Sequence, residues 1–136
     1  MKTVLVLDDE FNLLNLVCRL LQRHGYRTLQ TADAEETLGL ADDELAQVKL
    51  FVVDVCLAAG SGIHVAVALR ADFPSLPILL VSGYPKNSWS VRDTVLFGKL
   101  GGDSVRILQK PFTPQVLIAT IGEMIGAGQV ERANSA

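Results

Sequence analysis

Apolar residues along this chain follow two rhythms. The first is a set of short uninterrupted runs, Val4-Leu5-Val6-Leu7, Leu50-Phe51-Val52-Val53 and Ile78-Leu79-Leu80-Val81. Runs with no polar alternation predict strands buried on both faces, as in a parallel sheet covered by helices. Tyr26 to Gln30 and Val105 to Gln109 predict a brief strand and a last strand. The second rhythm is helical. Leu13, Leu16, Val17, Leu20 and Leu21 recur at the spacing of one helix face and stop at Gly25. Further helices are predicted from Ala34 to about Leu45 behind an Asp33 cap, from about Ile63 to Ala71 before Pro74 and Pro77, and over Ser88 to Leu96. A last one starts at Thr113-Pro114, a hydroxyl cap followed by proline, and continues through Val116, Leu117, Thr120, Ile121 and Met124.

Five strands alternating with five helices predict a doubly wound α/β sandwich on a parallel sheet. One domain spans 1–125, and the small, polar stretch 126–136 is expected to fray. Nearly half of the 136 residues are apolar, enough for a packed core. A net charge of -3 with no basic run argues against direct nucleic-acid binding. No apolar stretch reaches membrane-spanning length, and the N-terminus lacks a signal-peptide pattern. Cys18 and Cys56 stand far apart in no metal-type spacing, which reads as reduced thiols of a cytoplasmic protein.

The chemistry sits at the strand ends. Asp8 and Asp9 follow the first strand, Asp54 the third, Ser82 the fourth and Lys110 the fifth. Singly, such residues more often cap helices or line loops. In a doubly wound sheet, ligands bind outside the carboxyl ends of the strands, so all five converge. Three crowded carboxylates would force one to take up a proton unless a cation intervenes. Mg²⁺ suits them, since it prefers oxygen ligands and keeps several waters. A carboxylate beside it can attack a phosphoryl group, with Ser82 and Lys110 offsetting charge on the phosphoryl oxygens.

The ordered set Val4-Leu5-Val6-Leu7-Asp8-Asp9-Glu10, Val53-Asp54, Ser82-Gly83-Tyr84 and Lys110-Pro111-Phe112 resembles the receiver domain of bacterial two-component response regulators. It looks most like receivers appended to hybrid sensor histidine kinases. The resemblance runs from residue 3 to about 125. It implies a flavodoxin-like (βα)5 fold with strand order 2-1-3-4-5. It also implies phosphorelay signalling: Asp54 accepts a phosphoryl group from a histidine kinase or histidine phosphotransfer protein, with Mg²⁺ or Mn²⁺ required. Asp9 would bind the metal directly, Asp8 largely through water, and Cys56 through its backbone carbonyl. Ser82 and Lys110 would engage the phosphoryl group. Pro111 matches a proline that often follows a cis bond. Gly83 would keep the approach to Asp54 open, Tyr84 would tune the acyl-phosphate lifetime, and Glu10 would be a rim acid. The downstream target stays unnamed, and dimerisation through the last helices is compatible with the pattern.

Two departures stand out. Leu57-Ala58 replaces the family's usual Met-Pro, leaving that loop less restrained. Ile107 occupies the position of the aromatic that usually moves with the serine. Trp89 or Phe97 could offer a substitute surface, although both also suit core packing. His24 and His64 read as ordinary helix residues. Ile107 also keeps open a phosphorylation-independent interaction module of the same fold. An aspartate-nucleophile phosphatase fits poorly, because Asp8-Asp9-Glu10-Phe11 lacks the Asp-x-Asp spacing. A flavin protein would need a phosphate-cradling loop where these acids stand.

Overall fold

The three apolar runs divide residue by residue between two cores. Leu5, Leu7, Phe51, Val53, Ile78 and Leu80 enter one, and Val4, Val6, Leu50, Val52, Leu79 and Val81 the other. Both faces of the sheet are sealed, which is why no polar residue interrupts the runs. The computed structural model describes residues 1–102 and 104–128. Its strands are β1 (Thr3–Leu7), β2 (Arg27–Thr31), β3 (Val48–Asp54), β4 (Ile78–Ser82) and β5 (Val105–Gln109). They pair in parallel in the order β2-β1-β3-β4-β5, as expected.

Among the described residues, six α-helices flank the sheet: α1 (Phe11–Arg23), α2 (Ala34–Leu38), α3 (Asp42–Leu45), α4 (Gly62–Asp72), α5 (Val91–Leu100) and α6 (Pro114–Ile125). One face is closed by Leu14, Val17 and Leu21 of α1 with Leu117 and Ile121 of α6. The other is closed by Ile63, Ala66 and Leu69 of α4 with Leu96 and Leu100 of α5.

The single helix expected over Ala34 to Leu45 is two. Gly39 ends α2, Ala41 is extended, and Asp42, Asp43 and Glu44 open α3. Three carboxylates are at home in a first turn and costly near the C-terminal end of a helix, so the charge pattern favours a restart. The helix expected from Ser88 begins later, at Val91, because the Ser90 hydroxyl accepts from Asp93 N and caps it. A short 3-10 turn, Lys86–Ser88, precedes it and leaves Trp89 outside both.

At the N-terminal edge of the sheet, Lys2 Nζ donates to the carbonyls of Ile125 (2.6 Å) and Ala127 (3.3 Å). Tyr26 Oη donates to Gly126 O at 2.9 Å. Residues 125–127 are thus tied to the body, and residues 129–136 of the expected tail lie outside the described residues.

Candidate functional site

Strand register brings the chemistry together. Leu7 pairs with Val53, Asp54 with Val81, and Ser82 with Gln109. Asp8, Asp54, Ser82 and Lys110 therefore stand within about one residue of a common edge, at the carboxyl ends of the strands.

Asp54 is buried to 8% exposure, and both oxygens are engaged. Oδ1 accepts from Cys56 N at 3.1 Å, and Oδ2 takes Lys110 Nζ at 2.7 Å. Lys110 is delivered by the end of β5, where its own N–H donates to Ser82 O at 2.8 Å and its bond to Pro111 is cis. Burial pulls the Lys110 ammonium down. The hydrogen bond and charge of Asp54, aided by Asp8 and Asp9, outweigh it and hold the lysine above its ordinary value.

Asp8 is also buried, and burial is the main force raising its carboxyl. The Glu10 N–H, 2.8 Å from Oδ1, opposes that, Asp54 and Asp9 add repulsion, and Lys110 relieves part of it. The edge thus holds three carboxylates against one ammonium. Asp9 turns its Oδ2 to the Ala58 N–H. Among the described residues, no three His, Cys, Asp or Glu side chains could hold a metal ion as a group. The donors at this edge are carboxylate oxygens, the ligand type that a hard cation such as Mg²⁺ takes.

The segment after β3 is a small hairpin: Cys56–Leu57 pairs antiparallel with Gly60–Ser61 around Ala58 and Ala59. The loop that follows Leu57 is thus closed by strand pairing. A proline at 58 would lack the N–H that Asp9 accepts. The Cys56 side chain is exposed and its thiol is pushed up, by burial first and then by Asp54 and Asp93 with Lys110 opposing, so it is a poor nucleophile.

Ser82 lies beside Asp54 but faces elsewhere. Fully buried, its hydroxyl donates to Tyr84 O (2.6 Å) and accepts from Tyr84 N (3.1 Å) and Trp89 Nε1 (3.2 Å). Tyr84 is exposed at the rim, and a Cβ added at Gly83 would meet nothing within 4 Å. Ile107 pairs with Leu80 and packs half-buried on the core, with no ring to offer. Glu10 is more than a rim acid: its Oε1 accepts from Leu13 N at 2.7 Å and caps α1. His64 is an exposed residue of α4, while His24 is not helical but the exposed C-cap of α1, its Nδ1 3.0 Å from Leu20 O.

Two residues the sequence reading did not assign to the site belong to it. A Cβ on Gly62 would lie 1.9 Å from Asp54 O, so only glycine lets α4 start this close to the acid. Trp89 reaches Ser82 across a turn that no spacing rule describes. Beside Lys110 an open, mostly apolar groove of about 870 Å³ runs between α1 (Leu13, Leu16, Leu20) and the segment that enters α6 (Phe112, then Pro114 of the helix), with Arg19 and Arg23 among its lining residues.

A family model described as the response regulator receiver domain matches residues 4–122. The alkaline phosphatase synthesis transcriptional regulatory protein PhoP of Bacillus subtilis (strain 168) is 31% identical over 134 residues, which are 98% of this chain and 52% of that protein. The sensor kinase CckA of Brucella abortus (strain 2308) is 29% identical over 123 residues, 90% of this chain and 12% of that protein. The chain thus spans about half the first relative and a small part of the second. Among solved structures, the Vibrio cholerae chemotaxis protein CheY4 superposes with a TM-score of 0.76 at 26% identity, covering 91% of this chain and 98% of that one.

Proposed function

This chain belongs to the response regulator receiver family, whose members are phosphorylated on an aspartate, and from that premise we propose that Asp54 is the acceptor. The observation that carries the proposal is the 2.7 Å ion pair between Asp54 and Lys110 at the strand ends, with Asp8 buried beside it. A carboxylate oxygen of Asp54 forms the new bond to phosphorus while the bond from phosphorus to the donor breaks and the donor keeps the electron pair. The Cys56 N–H and Lys110 hold the plane of the carboxylate for that attack. Lys110 then follows the charge from carboxylate to phosphoryl oxygen, and Ser82 turns in to donate to another. Gly83 and Tyr84, at the mouth, govern the access of water and hence the lifetime of the adduct.

Receiver domains generally bind Mg²⁺ at the phosphorylation site. Here Asp9, Asp8 through water, Asp54 and the Cys56 carbonyl would hold it, and when bound it supplies positive charge to phosphoryl oxygens. The Ala58 N–H engages Oδ2 of Asp9, and Oδ1 of that carboxylate is the oxygen that would face the cation.

The donor is a histidine kinase or a histidine phosphotransfer protein, and the groove between α1 and the start of α6 suits an apolar helix of such a partner. The adduct adds close to two negative charges and shifts an existing equilibrium by its differential interaction with two conformations. Exposed Val91 and Val95 on α5 support a reading surface or a homodimer contact there. Two free cysteines suit the cytoplasm, and no helix among the described residues is long and apolar enough to cross a membrane.

Acetyl phosphate with Mg²⁺, followed by intact-protein mass, tests the acceptor. Wild type gains one phosphoryl group and Asp54→Asn gains none. An equal gain on the variant would sink the assignment. Ile107 favours a second reading, an interaction module indifferent to phosphate, which predicts no gain on either and partner binding unaffected by Asp54→Ala.

A further inference from the structure

The Ser82 hydroxyl has one hydrogen and two acceptor positions. The hydrogen goes to Tyr84 O, and the acceptor positions take Tyr84 N and Trp89 Nε1. Nothing is left for Asp54 or for a group upon it. Any turn of Ser82 toward a phosphoryl oxygen must withdraw the hydrogen from Tyr84 O, leaving that carbonyl short of a donor. The indole of Trp89 is placed to supply one, since its N–H already lies 3.3 Å from Tyr84 O while reaching Ser82 Oγ at 3.2 Å.

We infer that Trp89 is the positioning residue through which this chain couples Ser82 to its surface, in place of the ring that Ile107 does not provide. In the resting state its N–H is shared between Ser82 Oγ and Tyr84 O. When Ser82 turns toward the adduct, the N–H passes wholly to Tyr84 O and keeps that carbonyl paired. The step exchanges donors at Tyr84 O, so that carbonyl stays paired throughout, while the Tyr84 N–H, on an exposed residue, gives up Ser82 Oγ for water.

The indole is well connected for relaying that exchange. It stands half-buried between the 3-10 turn and the Ser90 cap of α5, in extended backbone. Its ring meets Phe97 of α5 edge-on, with centroids 5.6 Å apart and planes at 77°. Lys86 Nζ lies 4.3 Å from the Phe97 centroid. A shift of the indole therefore bears on a half-buried ring of α5 that packs on the core and, through that ring, on the exposed Lys86 of the preceding turn. Ile107, on neighbouring β5, is packed into the core beneath and has no hydrogen-bonding group to take part.

The inference rests on Asp54 being the phosphoacceptor, and one experiment separates the two. Trp89 is the sole tryptophan, so intrinsic fluorescence reads it directly. Phosphoryl content by mass and Trp emission are followed together in acetyl phosphate and Mg²⁺. Wild type should show an emission shift or intensity change that grows with phosphoryl content and decays with it. In Ser82→Ala, compared at matched phosphoryl content, that change should be lost. Trp89→Phe keeps the ring and removes the N–H. It should alter the adduct lifetime in wild type and leave it unaltered in the Ser82→Ala background. A phosphorylated wild type with constant emission, or a Trp89→Phe effect equal in both backgrounds or absent from both, overturns the coupling alone. A wild type that takes up no phosphoryl group overturns the coupling and the acceptor assignment together.

Discussion

Lys110 and Ser82 flank the same carboxylate and are held in opposite ways. The lysine is already on Asp54 at 2.7 Å, whereas the serine spends its whole hydrogen-bonding capacity on Tyr84 and Trp89. Charge explains the difference. An ammonium gains from a carboxylate before any phosphoryl group arrives, about 4 kcal/mol gross at 4 Å in a medium of intermediate polarity. A neutral hydroxyl gains only about 1 kcal/mol net from one hydrogen bond, less than three satisfied bonds elsewhere provide. One arm is therefore set in advance and the other has to be recruited. The contrast teaches that in the proposed adduct the charged arm has only to shift from carboxylate to phosphoryl oxygen, whereas the neutral arm must first give up a complete set of partners.

The most drastic way to break the contrast removes the ground both arms share. Gly62→Ala places a Cβ against Asp54 O and the Val53 side chain. We expect a loss of about 3 kcal/mol in urea denaturation, or failure to fold. Lys110→Ala deletes the preset arm alone. It should cost about 1–2 kcal/mol at neutral pH, the figure for a paired buried charge reduced because the lysine is partly exposed. Because the folded fold holds Lys110 above its ordinary value, its contribution is full below that value and is lost as alkaline pH rises through the raised one. Wild-type and Lys110→Ala denaturation curves should therefore converge as the pH climbs through the alkaline range.

Asp8→Asn sharpens the contrast from the other direction, since it relieves the crowding that makes Lys110 necessary. The raised carboxyl of Asp8 means its charged form is a burden to the fold. That burden is absent below the ordinary value of 3.8 and complete above the raised one. In metal-free protein the variant should melt at a higher temperature near neutrality, with the gain vanishing on acidification. A variant that melts lower at neutral pH would contradict this. Ser82→Ala touches only the recruited arm and should cost least, about 1 kcal/mol, because Trp89 can still donate to Tyr84 O.

Much of this was legible in the sequence, and the parts that were not share a physical cause. Leu50 to Val53 announced a strand sealed on both faces because no residue in it had to meet water. The positions of Asp8, Asp54, Ser82 and Lys110 followed from strand ends, which periodicity locates well. The break at Gly39 was missed because one glycine is tolerated within a helix and only the acids beyond it tip the balance. Side-chain direction was out of reach altogether. Whether Ser82 faces Asp54 or Trp89, and whether Asp9 meets Ala58, depends on turns whose dihedral angles the residue types leave open.

Lys2 and Tyr26 fasten the last turn of α6 to the foot of the sheet, at the end remote from Asp54. Five residues of β1 separate that fastening from the acid, a span of about 17 Å. The module is thus hung like a bell from one bracket. Residue 2 and residues 125–127 therefore share one mooring, at the end of the sheet opposite Asp54.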